Sequence, residues 1–274
     1  ADGTFSAGTN LGNEVWSFTA EQLEHLAFLP PLSSAGPFEL TVTATSTETS
    51  TGATSTSTKL ISLFGDMPTE NVLGTAGNET LNGSDSKDDY IQGYGGNDTL
   101  NGRGNNDLIH GGEGNDTISG GAGRDVLHGG TGNDNLNGGE GNDVLIGGAG
   151  NDILTGGAGA DVFRWQLADR GAVGTPAHDT IKDFDNSASR DTLDLRDLLQ
   201  NEHGAGNLSN YLHFEKSGDN TVIQISSNGG FSSGYNSGAV DQRITVEGVD
   251  LVGAFSTDQQ VIQDLMSRNK LVSD

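Results

Sequence analysis

From Asp89 onward the apolar positions of this chain recur at one fixed step. Ile91, Leu100, Ile109, Ile118, Leu127, Leu136, Leu145, Leu154 and Phe163 stand nine residues apart. Each follows an aspartate by two places: Asp89, Asp98, Asp107, Asp116, Asp125, Asp134, Asp143, Asp152 and Asp161. A unit this short cannot bury its single apolar side chain alone and must stack on its neighbours. In its full form the unit reads Gly-Gly-x-Gly-x-Asp-x-U-x, with U apolar. The glycines give the φ freedom for a tight turn with outward carbonyls, and x-U-x forms one short strand with U facing in. Two units make an 18-residue coil of strand, turn, strand, turn, and coils stack at about 4.8 Å. The pattern predicts an all-β fold built on a parallel β-roll solenoid.

Other periodicities flank the repeat. Residues 1–67 read as part of an Ig-like β-sandwich, shorter than the roughly 100 residues of a complete one. In "PFELTVTAT", Phe38, Leu40, Val42 and Ala44 alternate with polar residues. The run "TATSTETSTGATSTSTK" predicts two Thr-rich edge strands turning at Gly52. Trp16 and Phe18 share a face, and Thr19 with Gln22 suggests a capped helical turn. The roll is expected over 68–165, opening with a looser unit at Gly74 that carries Glu79 in the acid position; a one-residue insertion follows near Lys87. Residues 166–274 are not repetitive and read as a β-rich cap. "YLHFEKS", "NTVIQIS" and "RITVEGVDL" predict strands. A single helix is expected with Ser256 and Gln259 as capping box and Val261, Ile262, Leu265 and Met266 on one face.

Composition alone points toward disorder: 32% hydrophobic residues, 6% aromatic and a net charge of -25. The exception is a chain whose acids are organised to take up a cation. The same charge excludes a nucleic-acid binder, which needs clustered Lys and Arg. There is no cysteine to staple the fold or hold zinc, and no apolar run approaches the ~20 residues that span a bilayer. With no starting Met or N-terminal signal peptide, the chain is expected to be a monomeric piece of a longer protein.

Spacing supplies the chemistry. Turns on one edge lie 18 residues apart, which brings Asp98 over Asp116 and Asp107 over Asp125. A bare column of carboxylates at ~5 Å would repel. Filled with a hard dication, it becomes a ladder. Ligands that are all oxygen favour Ca²⁺ over zinc, and Mg²⁺ prefers to keep its waters. For one ion, carbonyls are expected from the first residue of each unit (Gly93, Gly102, Gly111, Gly120, Gly129, Gly138, Gly147, Gly156). The third joins it (Gly95, Gly104, Glu113, Ala122, Thr131, Glu140, Ala149, Ala158). For the ion on the other side, the second (Gly112, Gly121, Gly130, Gly139, Gly148, Gly157) and fourth (Gly114, Gly123, Gly132, Gly141, Gly150, Gly159) serve. The aspartate bridges both. Pairing across 18 gives about seven sites: 89/107, 98/116, 107/125, 116/134, 125/143, 134/152 and 143/161. Residues 74–165 hold 14 acidic and 4 basic side chains, a net of -10, which seven Ca²⁺ would reverse. One Gly-Asn-Asp would read as a hairpin turn; strict register over nine units does not.

These residues resemble the repeats-in-toxin (RTX) family, whose nonapeptide Gly-Gly-x-Gly-x-Asp-x-U-x is matched closely from Gly111 to Phe163. "GRGNND" departs from it, with Arg103 and Asn105 in place of glycines. The resemblance implies a β-roll with calcium in its turns. It also implies export by a type I secretion system (ABC transporter, adaptor and outer-membrane pore) through an uncleaved C-terminal signal. "ADVFRWQ", "HDTIKDFDNSASRDTLDLRDLL" and "ITVEGVDL" look like the C-terminal secretion-target region of large bacterial RTX adhesins, and the Thr-rich segment like their final extender repeat. This predicts a secreted or cell-surface calcium-dependent folding and export module without enzymatic activity. The alternative is a Ca²⁺-ordered roll that itself binds a glycan, surface or ice.

Weaker signals complete the reading. Asp183 and Asp185 would point the same way on a strand and, with Asp191, predict a further calcium site. Leu108, Val126, Val144, Ile146 and Val162 form an outward apolar stripe, expected to be covered by the C-terminal segment, with strands from 211–249 as the candidates. His110 and His128 stack in one column without the further ligands a transition metal needs. "GFSSG" lacks the strand–turn–helix context of a nucleophile elbow, and H-E-x-x-H is absent. Asn97, Asn115, Asn133, Asn142 and Asn151 supply one rank of an ice-binding surface, but the companion rank shows Thr only once. Circular dichroism should show sheet signal appearing with added calcium and vanishing with chelator; sheet content and melting temperature unchanged by chelation would contradict the calcium reading.

Overall fold

The fold comes from a computed structural model that describes residues 70–187, 191–199 and 207–273, and within 1–69 only the backbone of strand segments. Ala1–Thr69 and Glu70–Asp274 are two separate units. In the first, Phe38–Thr47 pairs antiparallel with Thr54–Leu63, so the Thr-rich run does contribute two paired strands, with Thr47 opposite Thr54. Thr9–Gly12 pairs with Val15–Ser17, and Thr4–Phe5 with Phe28–Leu29. The expected turn at Gly52, the helical turn at Thr19–Gln22 and the side chains of Trp16 and Phe18 lie outside the described residues.

The second unit is a parallel β-solenoid of about five turns with one helix near the C-terminus. One of its two sheets stacks Glu70–Leu73, Asp89–Gly95, Leu108–Glu113, Val126–Thr131, Val144–Ala149, Val162–Gln166, Thr192–Asp197 and Leu271–Val272. The other stacks Thr80–Asn82, Thr99–Gly104, Thr117–Ala122, Asn135–Glu140, Ile153–Ala158, Ala177–Ile181 and Gln242–Val246 in parallel, then Asn220–Ile225 and Leu212–Ser217 antiparallel. Within the repeat each residue faces the one 18 places on, Leu108 against Val126 and Leu127 against Leu145. Strands are longer than x-U-x. Pairing runs on through Gly112↔Gly130 and Glu113↔Thr131, so each strand takes six residues and the turn keeps three, such as Gly114-Asn115-Asp116.

The core is one side chain thick. Ile91, Ile109, Leu127, Leu145 and Phe163 from one sheet meet Leu100, Ile118, Leu136 and Leu154 from the other, all at most 1% exposed. The column runs past residue 165 into Leu193 and Ile181, so roll and cap share both sheets. The cap core adds Trp165, Phe184, Leu212, Ile223, Ile244 and Leu265. Its helix, α1 (Asp258–Ser267), buries Val261, Ile262 and Leu265. It starts one residue later than the sequence suggests. Thr257 is the N-cap and accepts from Gln260 N–H at 3.3 Å, while the Gln260 side chain accepts from Ser256 N–H at 3.0 Å.

The strands expected over the apolar stripe lie elsewhere, and a different part of the cap reaches it. Gln242–Val246 pairs with Ala177–Ile181 at the end of the opposite sheet, where it satisfies an open row of amides and carbonyls. Leu108 stays 40% exposed, whereas Ile146 is buried at 7% exposed where the cap's 3-10 turn Leu167–Asp169 lies against Val144–Ala149.

Glycine is required where coils touch. Gly112, Gly121, Gly130 and Gly139 have φ between 113° and 119°. A Cβ on Gly139 would collide with the carbonyl of Gly121 in the coil below. Tyr94, Arg103 and Asn105 adopt the same left-handed backbone, at 74°, 81° and 72°, despite their side chains. Gly139→Ala should therefore cost at least about 2 kcal/mol. Arg103→Gly, which relieves a left-handed residue at about 1–2 kcal/mol against about 0.5–1 kcal/mol of unfolded-chain entropy, should hold or gain stability. Thermal melts of both variants in saturating calcium check this ordering; equal destabilisation would contradict it.

Candidate metal centre

Each coil holds the next through its aspartates. Oδ1 of Asp107 accepts Asp89 N–H at 2.8 Å, and Asp125, Asp143 and Asp161 repeat the bond at 2.7–2.9 Å. On the other edge Oδ1 of Asp116, Asp134 and Asp152 accepts from Asp98, Asp116 and Asp134. A parallel ladder of amides runs beside it. Asn97 Oδ1 accepts Asn115 N–H at 2.7 Å, Asn115 Oδ1 accepts Asn133 N–H at 2.6 Å and Asn133 Oδ1 accepts Asn151 N–H at 2.8 Å. The Asn of Gly-Asn-Asp thus ties coils together, and the rank considered for ice is committed within the stack.

The second carboxylate oxygen is different. Oδ2 of Asp98, Asp107, Asp116, Asp125, Asp134, Asp143, Asp152 and Asp161, with Oδ1 of Asp89, is buried without a hydrogen-bond partner among the described residues. An unpartnered buried carboxylate oxygen is costly, and such columns are what a cation would satisfy. Carbonyls converge on the same places. A methyl group built on Gly93 would press on Asp98 Oδ2 and lie 2.5 Å from Gly111 O. The same cradle recurs for Asp107 with Gly120 O, Asp116 with Gly129 O, Asp125 with Gly138 O, Asp134 with Gly147 O and Asp143 with Gly156 O. At Gly83 the Asp89 carboxylate meets Gly102 O. The structure therefore brings the first-position carbonyls and the aspartates together. One oxygen of each aspartate is held by backbone, leaving the other for an ion.

Other expected ligands sit differently. Third-position carbonyls of Thr131, Glu140, Ala149 and Ala158 already accept the N–H of Gly114, Gly123, Gly132 and Gly141 at 2.7–2.8 Å. Carbonyls of the second and fourth glycines, such as Gly112 and Gly114, point at Gly130 and Gly132 in the coil above. Among the described residues no three His, Cys, Asp or Glu side chains gather into a metal cluster. The cradles instead combine carboxylate with carbonyl oxygen, a hard-cation donor set.

Asp183, Asp185 and Asp191 do not form the separate cluster expected. The segment after Ile181 is not a strand. Asp183 caps the amides of Gly156 and Gly157 at 2.9 Å, and Asp185 Oδ1 accepts Ser187 N–H at 2.8 Å. Asp191 instead continues a column, its Oδ1 accepting Asp161 N–H at 3.0 Å. Asp179 does the same above Asp152 at 2.8 Å. Neither role was read from the sequence, although "DTI" and "DTL" keep the Asp-x-U signature without glycines. His110 and His128 stack with centroids 4.5 Å apart.

Electrostatics mark the same groups. Burial, then the like charge of neighbours 18 residues away, pushes Asp125 and Asp134 up to about 7 against a partly compensating backbone N–H. Asp107 and Asp152 reach about 7 and Asp161 about 6, burial leading in each. Asp116 and Asp143 are raised by burial too.

Residues 73–109, 101–136 and 128–163 match the RTX calcium-binding nonapeptide repeat model. These residues are RTX calcium-binding repeats, and the roll they build is a calcium-binding β-roll. No curated protein matches the chain. Among solved structures it is similar to the AlgE6R3 subunit of the Azotobacter vinelandii mannuronan C5-epimerase, at 23% identity over 73% of this chain and 80% of that one, TM-score 0.32. The AlgE6R2 subunit follows at 21% identity over 74% and 92%, TM-score 0.33. The extracellular lipase LipA of Serratia marcescens matches at 20% over 74% of this chain and 40% of the lipase, TM-score 0.30.

Below about pH 7 calcium must displace protons that these carboxylates hold. Their folded values near 6–7 exceed the ordinary 3.8. Protonation therefore supports the metal-free roll at low pH, and that support is lost as pH rises from about 4 to 7. Two outcomes are expected: metal-free protein is more ordered at pH 5 than at pH 7.5, and the calcium midpoint rises as pH falls from 7.5 to 5.5. Calcium titrations by circular dichroism at both pH values, with proton release followed in weak buffer, read this; a pH-independent midpoint with no proton release would refute it.

Proposed function

We propose that the chain is a calcium-set folding and export module from the C-terminal region of a secreted bacterial adhesin. The observation that carries it is the double column of buried carboxylate oxygens lacking protein donors, facing first-position carbonyls in six repeated cradles from Asp98 to Asp143. We assign one Ca²⁺ to each of the seven pairs from 89/107 to 143/161, with the aspartates and first-position glycine carbonyls as ligands. Extracellular calcium modules bind at about 10⁻⁴–10⁻³ M. At free calcium tenfold above that value each site contributes about 1.4 kcal/mol, and seven together about 10 kcal/mol. That is comparable to the stability of a whole domain, and it vanishes in a calcium-poor cytosol.

Such a chain stays export-competent inside the cell and sets outside. The reading has it cross the envelope C-terminus first through a type I machine of ABC transporter, adaptor and outer-membrane pore. Calcium then orders the roll and prevents back-sliding. No helix among the described residues is long and apolar enough to cross a membrane. The rival is a ligand-binding roll for glycan, surface or ice. Against it, the asparagine oxygens are engaged by backbone of the next coil.

Fusion of residues 74–274 to a passenger, expressed with a type I exporter, separates the two. Export without adhesion is expected, with medium calcium needed for the exported fusion to resist protease. Retention on a glycan or ice surface, or failure to export, would count against the module.

A further inference from the structure

The column of Asp98, Asp116, Asp134 and Asp152 ends on Asp179, whose Oδ1 accepts Asp152 N–H at 2.8 Å. In every unit of this column the residue five places before the aspartate is glycine, from Gly93 before Asp98 to Gly147 before Asp152. A methyl group built on any of them would press on Oδ2 of that aspartate. On Gly129 it would also meet Gly147 O of the next coil. On Gly147 its three nearest atoms all belong to Asp152, so the regular cradle stops there.

Eighteen residues past Gly147 stands Trp165, in the strand that sets Val162 opposite Val144 and Phe163 opposite Leu145. It is 1% exposed and heads the fully buried side chains by volume. The rung that follows it, Asp179, comes fourteen residues later instead of five. Those nine extra residues let the carboxylate sit beside an indole that a regular turn could not admit. Trp165 Nε1 donates to Asp179 Oδ2 at 2.6 Å, and Gln242 Nε2 donates to the same oxygen at 2.7 Å. An indole N–H can only donate. Two N–H groups thus point at the oxygen that has no donor in Asp98, Asp116, Asp134 and Asp152. A hard cation needs oxygen lone pairs turned toward it; here it would meet hydrogens and a ring.

We propose that Trp165 is the end-stop of this column. Its indole stands in the place that each regular unit keeps for glycine, and it bars calcium from the pair 152/179, one step past the pairs assigned above. The inference rests on the calcium reading of the columns and adds which residue fixes the last ion. Packing alone would be met by a hydrocarbon of similar size, which leaves no buried N–H to be paired. The indole instead places a donor on the one carboxylate oxygen of the column that is to stay free of metal.

The test counts calcium bound per full chain at saturating calcium, by native mass spectrometry and equilibrium dialysis, with circular dichroism on the same samples. Trp165→Gly should bind one ion more than wild type, a gain that lost packing cannot produce. Asp179→Asn should bind as many as wild type, whereas Asp134→Asn in mid-column should bind fewer. An unchanged or lower count in Trp165→Gly with its sheet signal intact, or the loss of an ion in Asp179→Asn, would overturn the proposal. Where the cavity left by the indole unfolds Trp165→Gly, the Asp179→Asn count decides alone. A wild type that bound no calcium would remove the calcium reading itself, a result distinct from equal counts in wild type and Trp165→Gly.

Discussion

One hydrogen bond, repeated from coil to coil, governs this roll: a carboxylate oxygen accepting the backbone N–H of the aspartate 18 residues before it. The bond fixes each aspartate at its turn and leaves the other oxygen buried with nothing to accept. Left to itself the column is self-limiting, because burial and like charge hold carboxylates such as Asp125 and Asp134 up near 7. The apolar interior does not compensate. One buried Leu or Ile per nine residues contributes about 1.5–3 kcal/mol, less than the ordering entropy of a few residues at about 1–2 kcal/mol each. A hard cation reverses both deficits, since it supplies the missing partner and turns repulsion between rungs into attraction.

Much of this was legible because side chains carry it. The nine-residue step of Ile109, Ile118 and Leu127 gave the inward row, and doubling it gave the pairing of Asp107 with Asp125 that the structure repeats. Strand length was not legible, because the pairing of Gly112 with Gly130 is a backbone event in residues without side chains. The asparagine ladder was hidden in the same way, its acceptor being a side chain but its donor a backbone amide. Asp179 and Asp191 were missed as rungs because their spacing of 27 and 30 residues breaks the period. The apolar stripe around Leu108 was visible, yet which surface the cap would take was not. An open strand edge demands hydrogen-bond partners, and that demand set where the cap strands went, leaving the stripe only a 3-10 turn against Val144–Ala149 with Leu108 still exposed.

Departures from the repeat follow the same stacking logic. Arg103 and Asn105 stand where glycine is otherwise the rule, and both keep the left-handed backbone. Beneath them lies the irregular first coil, with its insertion near Lys87, and a Cβ on neighbouring Gly104 would approach Asp85 O only to 3.2 Å. One coil higher the tolerance is gone: a Cβ on Gly121 or Gly123 would strike the carbonyls of Arg103 and Asn105 themselves. A side chain is admitted only where no regular coil lies below. Coil regularity is thus imposed by contact with the previous coil and sharpens along the stack.

The ends of the columns carry this one step further. At the start, Glu79 takes the acid position but turns its carboxylate to the amide and hydroxyl of Thr75, within its own turn. At the finish, Asp179 and Asp191 spend both oxygens on protein donors. Unsatisfied oxygen is therefore confined to the rungs between. A ladder open at its ends would present bare carboxylates to whatever stacked on it and would have no defined length. Closing the ends with neutral donors sets the number of rungs by sequence and leaves only the middle dependent on an ion. That division lets ambient calcium decide whether the coils assemble without deciding where they stop.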